Sequence, residues 1–123
     1  SINKQYGTQI VISDAVYKHI QSNPEFHSRE LDAIRVRGKK QPVVLFEVLN
    51  SLQQAVLDAR LAHMSLYMTG LLAFRTGDFD AARAQFQEYL NLAGEDPVVR
   101  MYLARLDAVR SSSTWDGIWE AEA

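Results

Sequence analysis

The densest group of chemistry-bearing side chains is basic: Arg35, Arg37, Lys39 and Lys40 crowd around Gly38. A guanidinium can grip a phosphate through two parallel N–H donors, whereas an ammonium acts on it as a point charge. Phosphate contact is therefore one reading of this stretch, and a solvated strand face ending in a turn is the plainer one. It is not a Walker loop. Ala33 stands where the first glycine would be needed, and Lys40 stands where Ser or Thr should follow Lys39. Nucleic-acid binding calls for a wider basic footprint than a chain of net charge −2 offers, so no nucleic-acid partner is expected.

Glu30, Asp32 and Glu47 could serve acid–base chemistry or hold a metal. At strand spacing Glu30 and Asp32 point the same way, next to Arg29 and Arg35, so ordinary surface ion pairing is the expectation. His19, His27 and His63 show no H-x-x-x-H spacing, and the absence of cysteine removes thiol nucleophiles, disulfides and Cys-based zinc sites. No metal site and no catalytic residue is expected among them. Met64, Tyr67, Met68, Leu71 and Phe74 read as core rather than as a cofactor pocket.

The elements that would position these residues fall into two halves. Residues 1–50 carry seven Lys/Arg and five Asp/Glu, whereas residues 51–123 carry six and ten. Such an asymmetry suits two units with different tasks. The first half predicts strand, helix, strand, strand. Gln9 to Ile12 is β-rich, and Ser13 caps a helix over 14–21 with Ala15, Val16, His19 and Ile20 on one face. Residues 29–38 and 43–49 predict an antiparallel hairpin around Gly38-Lys39-Lys40-Gln41-Pro42. The second strand is apolar except for Glu47, as suits a strand covered on both faces.

From Leu52 the period becomes helical. One long apolar helix is expected through Phe74, and Gly77-Asp78 ends it. A second places Phe79, Ala82, Phe86 and Leu90 on one face. Asp96-Pro97 opens a third, carrying Val98, Tyr102, Leu106 and Val109. Ser111 to Thr114 predicts a flexible joint. Beyond it, Trp115 and Trp119 are expected to fold back on the helices as a latch, with a partner-docking peptide as the sharper alternative. The predicted class is α+β: a small strand–helix–hairpin portion (1–50), a bundle of about three helices (51–110) and a Trp-containing end (111–123).

Two resemblances attach to these residues. Lys4-Gln5-Tyr6-Gly7, Ile10-Val11-Ile12-Ser13, Arg29-Glu30-Leu31-Asp32, Val36-Arg37-Gly38-Lys39, Pro42-Val43 and Phe46-Glu47-Val48 follow in order. Together they resemble the closing stretch of the class III adenylate/guanylate cyclase catalytic domain, over about 40% of the chain. Gly70, Gly77, Asp78, Ala82, Phe86, Leu90 and Pro97 resemble the tetratricopeptide signature. Tyr89 departs from it where a small residue is usual, and Pro97 comes late. The tail ending in Trp-Asp-Gly-Ile-Trp is also similar to extensions of some bacterial cyclases.

The cyclase resemblance implies conversion of a nucleoside triphosphate, ATP by default, to a cyclic nucleotide and pyrophosphate in cyclic-nucleotide signalling. It implies two Mg or Mn ions at the interface of a head-to-tail homodimer, held by aspartates upstream of Lys4. It implies a triphosphate contact from Arg37, with Lys39 the alternate, worth roughly 1.5–3 kcal/mol as a charged hydrogen bond. Without the upstream residues the segment itself is expected to be inactive.

The tetratricopeptide resemblance implies a protein partner for the helical tail. A strand edge left open would favour a second copy of the chain. No run of about 18 apolar residues and no secretory leader is apparent, so a cytoplasmic setting is the expectation.

Overall fold

The computed structural model of the protein describes residues 6–7, 10–109 and 114–121. Lys4 and Gln5 of the cyclase-like motif, the predicted strand start at Gln9, and Ser111–Ser113 of the predicted joint lie outside them. The fold is α+β, as the change of period predicts. Two compact units form, one from residues 1–52 with 118–123 and the other from 53–117.

The first unit contains β1 (Val11–Ser13), α1 (Asp14–Ile20), β2 (Ser28–Val36) and β3 (Val43–Val48). A further strand, β4 (Trp119–Ala121), joins it from the end of the chain. The sheet order is β1-β3-β2-β4; β3 runs antiparallel to both β1 and β2, and β4 runs parallel to β2. The predicted hairpin is therefore present.

The outer edge of β2 is paired with β4 through Ile34–Trp119, Arg35–Glu120 and Val36–Ala121. Trp119, expected in a latch, opens strand β4 of this sheet. In α1, Ser13 caps the helix by accepting from the Val16 N–H at 3.4 Å. The inward residue is Tyr17, stacked on Phe46 at 3.9 Å, whereas Val16, predicted to face inward, is exposed. A seven-residue helix has only two turns, and one aromatic contact sets its rotation.

Among its described residues the second unit has four helices: α2 (Gln54–Ala62), α3 (Met64–Thr76), α4 (Phe79–Ala93) and α5 (Pro97–Val109). The single long helix expected up to Phe74 is broken at His63, whose φ of −114° and ψ of 21° interrupt the helical geometry. Nothing in the local sequence marks the break: no glycine or proline stands there, and the apolar phase continues across it. The α3–α4 turn follows the sequence reading. Gly77 takes a left-handed φ of 86°, and the Asp78 carboxylate accepts from the Ala81 N–H at 3.3 Å.

An aromatic core fills this unit. Tyr67, Phe74, Phe86, Tyr89 and Tyr102 are all buried, and Phe86 stacks on Tyr102 at 5.3 Å. Trp115 packs edge-on against Phe74 and donates its indole N–H to the Phe74 carbonyl at 2.8 Å. For Trp115, folding back on the helices is what occurs.

Candidate functional site

The basic turn is built by the two strands it joins. Lys39 donates its backbone N–H to the Val36 carbonyl at 2.9 Å, closing a four-residue turn. Gly38 sits at the third position with φ 88°, a conformation that side chains resist. The turn therefore needs glycine there, and it presents Arg37, Lys39 and Lys40 to solvent in succession. A cavity of about 420 Å³ opens against it, lined by Val36, Lys39, Lys40, Gln41 and Val43. Of the two residues singled out from the sequence, Lys39 lines the cavity, whereas Arg37, the residue after β2, is not among its lining residues.

Arg37 is also tied to the end of the chain, because its backbone N–H donates to the Ala121 carbonyl of β4 at 2.9 Å. Arg35, two residues earlier, pairs with Glu120 of the same strand. The four cations thus divide. Arg35 is paired with a carboxylate of β4, and Arg37, Lys39 and Lys40 follow it along the exposed end of the hairpin.

The carboxylates correct the expectation of surface pairing. Arg29 donates Nε to Glu47 Oε1 at 2.7 Å, with the two side chains 0% and 2% exposed. Asp32 is buried as well. It accepts the Tyr6 hydroxyl at Oδ2 (2.7 Å) and the Ala33 backbone N–H at Oδ1 (2.9 Å).

The physical cause is an irregularity in the β2–β3 ladder. Glu30 pairs with Phe46 and Asp32 with the very next residue, Leu45, so Leu31 is supernumerary. A bulge of this kind breaks the two-residue alternation on which the surface reading rested. Burial of Glu47 had a signal in the sequence. A lone carboxylate inside an apolar strand covered on both faces requires a buried partner, and Arg29 stands directly opposite it.

No three or more His, Cys, Asp or Glu among the described residues are grouped so as to hold a metal ion. His27 is held in its loop, donating its backbone N–H to Asn50 Oδ1 at 2.8 Å, and His63 marks the helix break. Tyr67, Leu71 and Phe74 are buried core. No described helix is long and apolar enough to cross a membrane.

In chemical terms the site is a small α+β unit offering a cationic hairpin end beside an almost wholly apolar hollow. Searches against protein-family models, curated proteins and solved structures find no match to the chain.

Proposed function

We propose that the first unit is the closing segment of a class III nucleotidyl cyclase catalytic domain, and that its β2–β3 turn contacts the triphosphate through Arg37 and Lys39. The observation that carries this reading is the turn itself. A glycine-dependent hairpin end holds Arg37 and Lys39 exposed, two residues apart, and Lys39 lines a cavity. Arg37 supplies a forked donor and Lys39 a mobile charge, a combination suited to several phosphate oxygens.

In the complete enzyme the reaction is ATP to cyclic AMP and pyrophosphate, in a cytoplasmic homodimer, with the metals and the remaining chemistry supplied by residues outside this chain. The segment alone binds weakly and turns nothing over. ATP titrated as its manganese complex into the full chain tests this. Heat or chemical-shift changes at millimolar ligand are expected, lost in Arg37→Ala/Lys39→Ala, with no cyclic nucleotide formed. Absence of any binding by the unaltered chain overturns it.

A second reading concerns the helical unit, proposed here as a tetratricopeptide-like hairpin that mediates dimerisation. It is favoured by the close approach of α3 and α4 at Gly70, where a Cβ would lie 2.8 Å from the Phe86 ring. Leu72 on α3 and Leu92 on α4 are left 63% and 54% exposed. Sedimentation should show a dimer that Leu72→Asp shifts toward monomer, and a monomeric unaltered chain removes the reading.

A further inference from the structure

We infer that β4 is a positioning strand for the basic turn, so that the last residues of the chain govern how well Arg37 engages an anion. The inference rests on the reading of the turn as a triphosphate contact and adds its control. Three observations converge on it. β4 pairs in parallel with the last three residues of β2, Ile34 to Val36, which lead directly into the turn. The Ala121 carbonyl takes the Arg37 backbone N–H at 2.9 Å, which fixes the peptide from which the Arg37 side chain departs. Glu120 pairs with Arg35 across the same two strands, holding β4 in register by charge as well as by backbone.

A hairpin end without such a neighbour frays, because its outer N–H and C=O groups are satisfied by water instead of by a strand. With β4 in place, Arg37 leaves an ordered backbone, and less conformational freedom is lost when it closes on a ligand. A strand of only three residues is also weak enough to be displaced. Detachment of β4 would loosen the turn without disturbing the β2–β3 ladder. Glu120 and Ala121 are thus positioning residues, and Arg37 remains the contact.

The test sets two physical effects against each other. Glu120→Lys places an added positive charge beside the turn, and charge alone should tighten binding of an anion. Loss of the β4 register should weaken it. Inorganic tripolyphosphate is titrated into the 123-residue chain and its variants, followed by the Arg37 backbone amide and Nε–H signals in NMR. Amide hydrogen exchange at Arg37 is measured in parallel.

The expected result is faster Arg37 amide exchange in Glu120→Lys, and binding weaker by roughly five- to tenfold, the scale of one ordinary net hydrogen bond. Glu120→Asp should restore both. Unchanged or tighter binding by Glu120→Lys, with binding by the unaltered chain intact, overturns the positioning role alone. Failure of the unaltered chain to bind tripolyphosphate overturns the triphosphate reading, and the positioning role with it. Glu120 is 64% exposed, so the reversal should not unfold the protein.

Discussion

Arg29 and Glu47 face each other across β2 and β3, with Nε 2.7 Å from Oε1 and almost no surface left to water. A charge pair so enclosed is held by mutual compensation. Removing one partner leaves the other desolvated, at a cost of roughly 3–5 kcal/mol, whereas replacing both with apolar residues can be nearly neutral. Glu47→Leu should therefore destabilise the first unit severely. Arg29→Met/Glu47→Leu should recover most of the loss. Urea unfolding followed by Tyr signals of that unit checks this, and additive losses in the double variant would contradict the account.

The α3–α4 crossing gives a prediction of opposite character, because the better helix former should lose. Alanine is favoured over glycine inside a helix by about 1 kcal/mol. At Gly70, however, the added methyl would meet Phe86 Cε1 at 2.8 Å and Cδ1 at 2.9 Å. The Phe86 ring cannot swing aside, being fully buried and stacked on Tyr102. Overpacking of this kind costs about 1–3 kcal/mol. Gly70→Ala should lower the melting temperature of the helical unit. Phe86→Leu in the same chain should partly relieve the clash, so the two effects should not add.

These two sites also show where sequence reading succeeded and where it stopped. Gly70 and Ala82 stood out as members of the tetratricopeptide-like pattern, and the Gly77-Asp78 turn was legible because left-handed glycine and an aspartate cap are local signals. The hairpin around Gly38 was legible for the same reason. The bulge at Leu31 was not, since it depends on what β3 offers opposite, and it carried Asp32 inward. The break at His63 has no local cause at all. β4 was hidden because Trp-Glu-Ala is too short for a pattern and its partner lies some eighty residues away in the chain. Arg37 and Lys39 could be singled out from the sequence, whereas the tie from Ala121 to Arg37 could not.

Asp96 joins three parts of the helical unit. Its Oδ1 accepts the Val98 N–H at 3.1 Å near the start of α5, and its Oδ2 accepts the Tyr89 hydroxyl at 2.8 Å. Arg60 Nε of α2 lies 3.4 Å from the same oxygen. Tyr89 departs from the tetratricopeptide pattern, and this hydroxyl contact gives it a task a small residue could not perform. Tyr89→Phe should cost about 1.5–3 kcal/mol, the scale of a hydrogen bond to a charged group. Asp96→Ala should cost more, because the cap and the Arg60 partner go with it. Chemical denaturation of the two variants should rank them in that order, and equal losses would remove the cap from the account.

Glu95 and Arg100 give a pH prediction with a definite sign. Arg100 donates Nη2 to Glu95 Oε2 at 2.6 Å and Nε to Oε1 at 3.0 Å. The hydrogen bond from Arg100 holds the Glu95 carboxyl below the usual carboxylate range, and Glu95 in turn raises the Arg100 guanidinium. A depressed carboxyl contributes stability that is present above its ordinary unfolded range and lost as pH falls through the lower folded value. The raised guanidinium acts only at the alkaline extreme, so the pair's working window is acidic. Both side chains are well exposed, and solvent screening keeps the effect on stability small. The direct readout is titration: Arg100→Ala should move the Glu95 carboxyl upward toward its ordinary range, followed by carboxyl NMR. An unmoved Glu95 titration in that variant would show that the forked contact is not formed in solution.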